Sequence, residues 1–327
     1  MKVLVTGATG FLGSELVHHL LEAGEHVRIY RRETSKLDLL HPFENDLEHC
    51  MGDIADQNAL EHAMKTIQVV YHSAANVQVV SKSLTHVNVQ GTAAVVDAAR
   101  RQGVERLVHT SSVAPIGMSS EGISDETTEW PNHSTMWPYA KSKHLAELEV
   151  QRSIAEGLDA VIVNPSLIVG PDRSQGKVPH VLHTFLPKIK AGRVWFYPSG
   201  GMNVVDVADV AAGHLAALEH GATGVRYILG GENLSWKDIL SILANAYGAN
   251  PPKYPLPYHP TRIGGMLSDL WCSITGQELS FGRSMVDYIF TERFYSNRRA
   301  MDQLGYTFRP FTETAQRIAQ RDTSPAA

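Results

Sequence analysis

A glycine triplet near the start of the chain, Gly7-Ala-Thr-Gly10-Phe-Leu-Gly13, restricts the fold more than any other feature. It follows Lys2-Val3-Leu4-Val5-Thr6, a short apolar run rich in β-branched residues. It precedes Phe11 to Ala23, where Leu12, Leu16, Leu20 and Leu21 recur at helical spacing. The glycines therefore sit on a strand-to-helix turn. There glycine allows positive φ and close backbone approach, while the helix start offers free N–H groups and the positive end of its dipole. The spacing Gly-x-x-Gly-x-x-Gly differs from Gly-x-Gly-x-x-Gly but serves the same mechanics. Gly7, Thr9, Gly10, Phe11, Leu12 and Gly13 are thus expected to cradle the pyrophosphate of a dinucleotide.

His26-Val27-Arg28-Ile29-Tyr30 reads as the second strand, and Arg31 and Arg32 follow it, where an acidic side chain commonly takes the ribose hydroxyls. Two forked guanidinium groups suit a 2′-phosphate instead. Arg31 and Arg32, with Thr34, Ser35 and Lys36 as helpers, predict NADP(H) in preference to NAD(H). The alternative is a solvated basic loop beside an NAD(H) site.

Strand-like and helix-like segments then alternate. Leu47 to Met51, Val69 to His72, Leu107 to Ser111 and Ala160 to Asn164 read as strands; Gln57 to Lys65, Leu84 to Gln102 and Tyr139 to Gly157 read as helices. This pattern predicts an α/β fold, a Rossmann-type doubly wound parallel sheet, with motifs gathered at the carboxyl ends of the strands. Prolines become frequent after Asn164 and again from Pro251 to Pro260, while Val204 to Glu219 and Gly224 to Leu229 look like a returning helix and strand. A smaller, interleaved C-terminal lobe follows. Residues 1–165 plus 203–230 are expected to bind the dinucleotide, and residues 166–202 plus 231–327 the substrate.

The 327 residues carry a formal net charge of −5, which argues against a nucleic-acid partner. Cys50 and Cys272 are the two cysteines, too few and too isolated for a disulfide framework or a zinc set. The chain opens on a core strand and has no apolar run near the roughly 20 residues that span a bilayer. A cytoplasmic protein without an integral membrane segment is the expectation. Ile263 to Ile274 is interrupted by Ser268 and Asp269 and reads as a packed helix. Of sixteen histidines, His180 and His183 are three apart, but no acid or cysteine completes a metal set around them. His109, His133 and His144 are likewise expected as scattered, solvated side chains, and no metal is predicted.

Tyr139 and Lys143 are four apart on a helix and so share a face. A cation there stabilises a phenolate and lowers the tyrosine's proton affinity from near 10. Tyr139 then suits general acid–base work, with Lys143 also placed to hold ribose hydroxyls. Ser111 and Ser112 follow a strand, where a hydroxyl can clamp a substrate oxygen beside Tyr139. Ser112 is the first choice and Ser111 the second.

The chain resembles the extended short-chain dehydrogenases/reductases, the group containing sugar-nucleotide epimerases and dehydratases, dihydroflavonol and cinnamoyl reductases and 3β-hydroxysteroid dehydrogenases. The resemblance rests on Thr6-Gly-Ala-Thr-Gly-Phe-Leu-Gly13, Gly52-Asp53, His72-Ser-Ala-Ala75, Asn88-Val-Gln-Gly91-Thr92, Thr110-Ser-Ser112, Tyr139-x-x-x-Lys143, Asn164-Pro-Ser-Leu-Ile-Val-Gly-Pro171 and Val205-Asp-Val-Ala-Asp209. It implies that Ser112, Tyr139 and Lys143 form a catalytic triad. It also implies that Asp53 and Ile54 border the adenine, that Ala74 and Ala75 line the dinucleotide with Thr110, that Asn88 braces the site, and that Pro165, Ser166 and Leu167 lie against the nicotinamide. In relatives, helices corresponding to Leu84–Gln102 and Tyr139–Gly157 pair in a homodimer.

The sugar-nucleotide branch usually carries an arginine just before the segment matching Val204-Val205-Asp206, and Gly200-Gly201-Met202-Asn203 has none. Trp137, Trp195, Phe196, Tyr197 and Met202 instead suggest a largely apolar pocket, with lobe core as the alternative reading. Later segments also look like bacterial hopanoid-associated sugar epimerases and dihydroflavonol-reductase-like proteins. The expectation is an NADPH-dependent reductase of an aldehyde or ketone on a small to mid-sized, largely apolar molecule. An epimerase with tightly bound NAD and a non-catalytic NADPH-sensing module are the two rivals.

Overall fold

The computed structural model describes residues 1–77, 83–130, 137–171, 181–275 and 282–323. In chain order the strands are Lys2–Thr6 (β1), His26–Arg31 (β2), Glu48–Met51 (β3), Val69–His72 (β4), Arg106–Thr110 (β5), Ile123–Ser124 (β6), Ala160–Pro165 (β7), Leu167–Val169 (β8), Phe196–Tyr197 (β9), Gly201–Asp206 (β10), Arg226–Leu229 (β11), Glu232–Ser235 (β12), Tyr254–Pro255 (β13) and Glu292–Tyr295 (β14). The helices are Phe11–Glu22 (α1), Gln57–Ala63 (α2), Gly91–Arg101 (α3), Pro138–Ala155 (α4), Val181–Lys190 (α5), Val207–His220 (α6), Trp236–Ala246 (α7), Tyr258–Thr275 (α8), Arg283–Ile289 (α9), Arg298–Leu304 (α10) and Phe311–Thr323 (α11).

Among the described residues, seven strands form one parallel sheet in the order β11-β7-β5-β4-β1-β2-β3. Its strands are apolar on both faces because helices cover both. Val3, Val5, Ile29 and Val163 point into a core with Leu16 and Leu20 of α1 and Val210 of α6. Leu4, Val70, Leu107 and Ile162 point the other way, into a core with Leu60 of α2, Val95 of α3 and Val150 of α4. This is the doubly wound arrangement, and it aligns all seven carboxyl ends along one edge.

The second sheet runs β12-β10-β14-β6, with β8 beside β10. It carries a third core of Met202, Val204, Trp236, Ile239, Leu243 and Phe311. Here two sequence boundaries move. Val204 to Asp206 belong to β10 rather than to the returning helix, which starts at Val207 because the Asp206 carboxylate caps it, accepting from Ala208 N at 2.9 Å. The division expected at residue 203 therefore falls inside a strand of the small sheet. Likewise Leu84–Gln102 is not one helix, since Thr85–Gln90 is wound as a π-helix before α3.

Helix α8 departs from the packed helix expected of it. Ile263, Leu267, Leu270, Trp271 and Ile274 are all more than half exposed, and Gly265 is its buried residue, set against α9.

The glycine turn is filled to contact. Gly7 has φ +74°, and a Cβ on Gly13 would stand 2.1 Å from the Gly7 carbonyl oxygen. Gly264, inside α8, has no atom within 4 Å of the corresponding position. Gly13→Ala should therefore lower stability by about 1–3 kcal/mol, whereas Gly264→Ala should raise it by up to about 1 kcal/mol. Urea denaturation of both variants checks this, and equal responses would contradict the close packing at Gly13.

Candidate active site

Six of the segments singled out in the sequence follow strands of the large sheet at its carboxyl edge. Gly7 ends β1, Arg31 closes β2, Asp53 follows β3, Ala74 and Ala75 follow β4, Ser111 and Ser112 follow β5, and Ser166 follows β7. Two cavities of about 240 Å³ lie elsewhere, one around Lys2, His26 and Ile67 at the opposite edge and one around Tyr247 and α11.

The turn is shaped for a group pressed against its backbone. A Cβ on Gly7 would stand 2.6 Å from Ala74 N, so Gly7 brings β1 and the segment after β4 into direct contact. Gly10 caps helix α1 without a side-chain hydrogen bond, so the positive end of the helix dipole is directed at this turn, where a phosphate would be favoured. Thr6 and Thr92 hold His72 between them at 2.8 and 2.9 Å, and Thr6 Oγ1 also accepts from Ala74 N at 3.3 Å. The Ser166 hydroxyl is buried at this edge without a partner among the described residues. These are the features that a dinucleotide would complete.

Arg31 stands at the end of β2, its Nε donating to His49 Nδ1 at 3.2 Å and its Nη1 to the Arg32 carbonyl at 3.2 Å. Arg32 and Lys36 are exposed beside it. Asp53 accepts from Ala55 N at 2.9 Å and pairs with His86 at 3.0 Å; the backbone hydrogen bond and the imidazole hold its carboxyl below the usual range. Ile54 packs over Gly91.

Helix α4 forms because Pro138 fits its first turn and Ala140, Lys141, Leu145, Ala146, Glu147 and Leu148 are strong helix formers. Its sheet-facing stripe contains two charged residues, Lys143 at 3% and Glu147 at 5% exposure. The Lys143 ammonium donates to the Thr110 carbonyl at 2.9 Å. Glu147, which the sequence reading did not single out, accepts from Ser111 Oγ and from Asn164 Nδ2 at 2.7 Å, with Arg226 at 3.7 Å. An acid four residues after Lys143 on one face was the available signal.

The Ser112 hydroxyl lies near enough to the Tyr139 phenol to lower its proton affinity, and the Ser112 carbonyl accepts from Asn164 Nδ2 at 2.7 Å. Asn88 accepts from Asn76 N at 2.7 Å and donates to Ser142 Oγ at 2.9 Å; Ser142 in turn donates to the Tyr139 carbonyl at 2.7 Å. Asn88 therefore ties the start of α4 to the segment after β4.

The electrostatics correct one expectation. Burial pushes the Tyr139 phenol up to about 12, opposed by the Ser112 hydroxyl, so the tyrosine is held neutral rather than eased toward phenolate. Lys143 is engaged by Thr110, and its own burial lowers it to about 8, against the pull of Glu147.

Trp137 stacks on Tyr288 at 4.2 Å between ring centres, within the electrostatic reach of Tyr139. Tyr288 lies far along the chain and carries no local motif. Met202 belongs to the core against which Tyr288 packs. Trp195 is 65% exposed with its indole N–H on the Gly192 carbonyl, and Met202 is buried in the core of the second sheet.

Among the described residues no acid–histidine–cysteine group could hold a metal ion. His133 and His180 lie outside the described residues. His109 is not solvated as expected: it is buried in β5, and burial holds it, with His72 at about 3 and His214 at about 4, in the neutral form. His144 stacks on Trp130 at 4.4 Å.

Comparison with known proteins agrees with this geometry. The model of the NAD dependent epimerase/dehydratase family matches residues 3–230. A Synechocystis sp. protein ascribed dihydroflavonol 4-reductase activity is 35% identical, over 92% of this chain and 88% of its own length. Cinnamoyl-CoA reductase 1 of Petunia hybrida is 31% identical, over 78% of this chain and 79% of its own. The crystal structure of gox2253 superposes with a TM-score of 0.86 at 33% identity, covering 98% of this chain and 97% of that one. The chain is therefore an oxidoreductase that belongs to the NAD dependent epimerase/dehydratase family.

Proposed function

We propose that the chain is an NADPH-dependent reductase of an aldehyde or ketone on a small to mid-sized, largely apolar molecule. The observations that support this reading are the Ser112 hydroxyl, which faces the Tyr139 phenol and lowers its proton affinity, and the buried Lys143 ammonium held on the Thr110 carbonyl at the end of the same strand. Reductase names among the relatives support it.

Gly7, Gly10 and Gly13 would hold the pyrophosphate, Arg31 and Arg32 the 2′-phosphate, Asp53 the adenine, and Lys143 the nicotinamide ribose. Bound there, the dinucleotide supplies a hydride for the carbonyl carbon. Tyr139, neutral across the physiological range, is a loaded proton donor for the carbonyl oxygen. Ser112 orients that oxygen and supports the phenolate left behind. Lys143, one turn further along the same helix, would supply positive charge that stabilises the phenolate as it forms.

Tyr139→Phe should reduce NADPH oxidation with aromatic aldehydes by at least about 100-fold, while NADPH binding by fluorescence persists. Wild-type protein that retains nucleotide through purification and turns over no aldehyde would favour an epimerase instead.

The pH dependence follows from Lys143. Its pKa is depressed, so the cation is present below about 8 and lost as pH rises through that value. The rate of reduction should therefore fall on an alkaline limb near 8, far below the Tyr139 value of about 12. Glu147 raises the Lys143 pKa, so Glu147→Gln should move the limb to lower pH. A limb that stays in place, or moves up, would contradict the coupling.

Arg31→Asp should raise the KM for NADPH by about 10–100-fold and leave that for NADH nearly unchanged. Equal changes would refute a 2′-phosphate contact.

A further inference from the structure

Arg293, in β14, is a cation of the second lobe without a counter-ion among the described residues. Its guanidinium lies over the Tyr288 ring, 4.2 Å from the centroid, and so one aromatic ring away from the Tyr139 neighbourhood. Its Nη1 reaches the Met118 sulfur at 3.7 Å, a weak acceptor, and its charge lowers the proton affinity of the nearby Tyr295 phenol. Its Nε is buried with no partner among the described residues. The acid nearest in sequence to Tyr288 is already engaged, since Asp287 takes Arg262 at 3.0 Å and Tyr258 at 2.9 Å.

A half-buried guanidinium with five donors, beside a ring, a thioether and one phenol, has kept its charge and its fork for something else. The register Met202 to Arg293 and Tyr295 to Ser124 sets β14 between β10 and β6. Arg293 and Tyr295 point to the same face of β14. Tyr295 is buried there with Val113 and Ile116, just beyond Ser112. Arg293 thus faces the loop after β5 that carries Ser112 and Met118. Tyr288, stacked on Trp137, carries Arg293 over its ring and acts electrostatically on Tyr139.

We propose that Arg293 binds a carboxylate carried by the substrate, so that the natural substrate is an oxo acid or formyl acid whose apolar body lies along Trp137 and Tyr288. This rests on the reading of the site as a carbonyl reductase. A single fork set among aromatic rings suits one negative charge in a planar group, whereas a dianionic phosphate calls for more than one cation.

The test compares 4-formylbenzoate, its methyl ester and 4-formylphenyl phosphate as substrates with NADPH. Wild type should prefer the acid to the ester by about 10-fold or more, with the phosphate no better than the acid. Arg293→Gln should lower kcat/KM for the acid by about 10–100-fold, mainly through KM, and change the ester by less than about threefold. Arg293→Lys should restore part of the loss. An equal fall for acid and ester would show a structural role, and a preference for the phosphate would show a different ligand; either overturns the proposal. If wild type reduces none of the three, the reductase reading fails by itself. Calorimetric binding of 4-formylbenzoate that Arg293→Gln abolishes would then still support the carboxylate site, and its absence in wild type would overturn it.

Discussion

An ammonium group buried at the edge of a parallel sheet is the constraint on which the site depends. Lys143 cannot stay charged there unless its environment replaces the water it has lost, and desolvating an ion costs several kcal/mol. The Thr110 carbonyl accepts a hydrogen bond from it, and Glu147 supplies an opposite charge one turn further along α4. Glu147 is in turn held by Ser111 and Asn164, which places the ends of β5 and β7 and the face of α4 in one polar network. Because Asn164 also holds the Ser112 carbonyl, the network that keeps Lys143 charged positions the Ser112 hydroxyl as well. Charge, geometry and fold are set together.

This arrangement favours proton delivery over proton abstraction. A phenol pushed up to about 12 by burial gives up its proton only when negative charge develops on an oxygen beside it, and a lysine poised near 8 can stabilise what remains. Reduction of a carbonyl creates that developing charge. The surroundings of Tyr139 are aromatic, with Trp137 and Tyr288 stacked. The candidate site therefore pairs a small polar clamp with an apolar wall.

The large sheet and its ligand edge were legible because they rest on local signals. Glycines at Gly7, Gly10 and Gly13, alternating periodicities, and Tyr139 and Lys143 four apart on a helix each speak within a few residues. The start of α6 was misread because Val204 and Val205 are apolar at spacings that a strand and a helix share, and the Asp206 cap decides between them. His109 was expected at the surface because a histidine is polar, yet a central strand covered on both faces has no exposed position to give it. The substrate side was least legible. Trp195 and Met202 were chosen by residue type, and Tyr288, which acts on Tyr139 electrostatically, is brought in from a segment nearly 150 positions away by packing that no local pattern encodes.

The most direct test of the account follows the hydride itself. Reduction of a benzaldehyde with NADPH deuterated on both faces of nicotinamide C4 should place one deuterium stereospecifically on the product carbinol carbon, with one NADP⁺ formed per alcohol. Mass spectrometry and proton NMR of the alcohol measure both. A product alcohol without the label, or a carbonyl compound returned unchanged while the nucleotide stays bound and its redox state unaltered, would contradict the central claim.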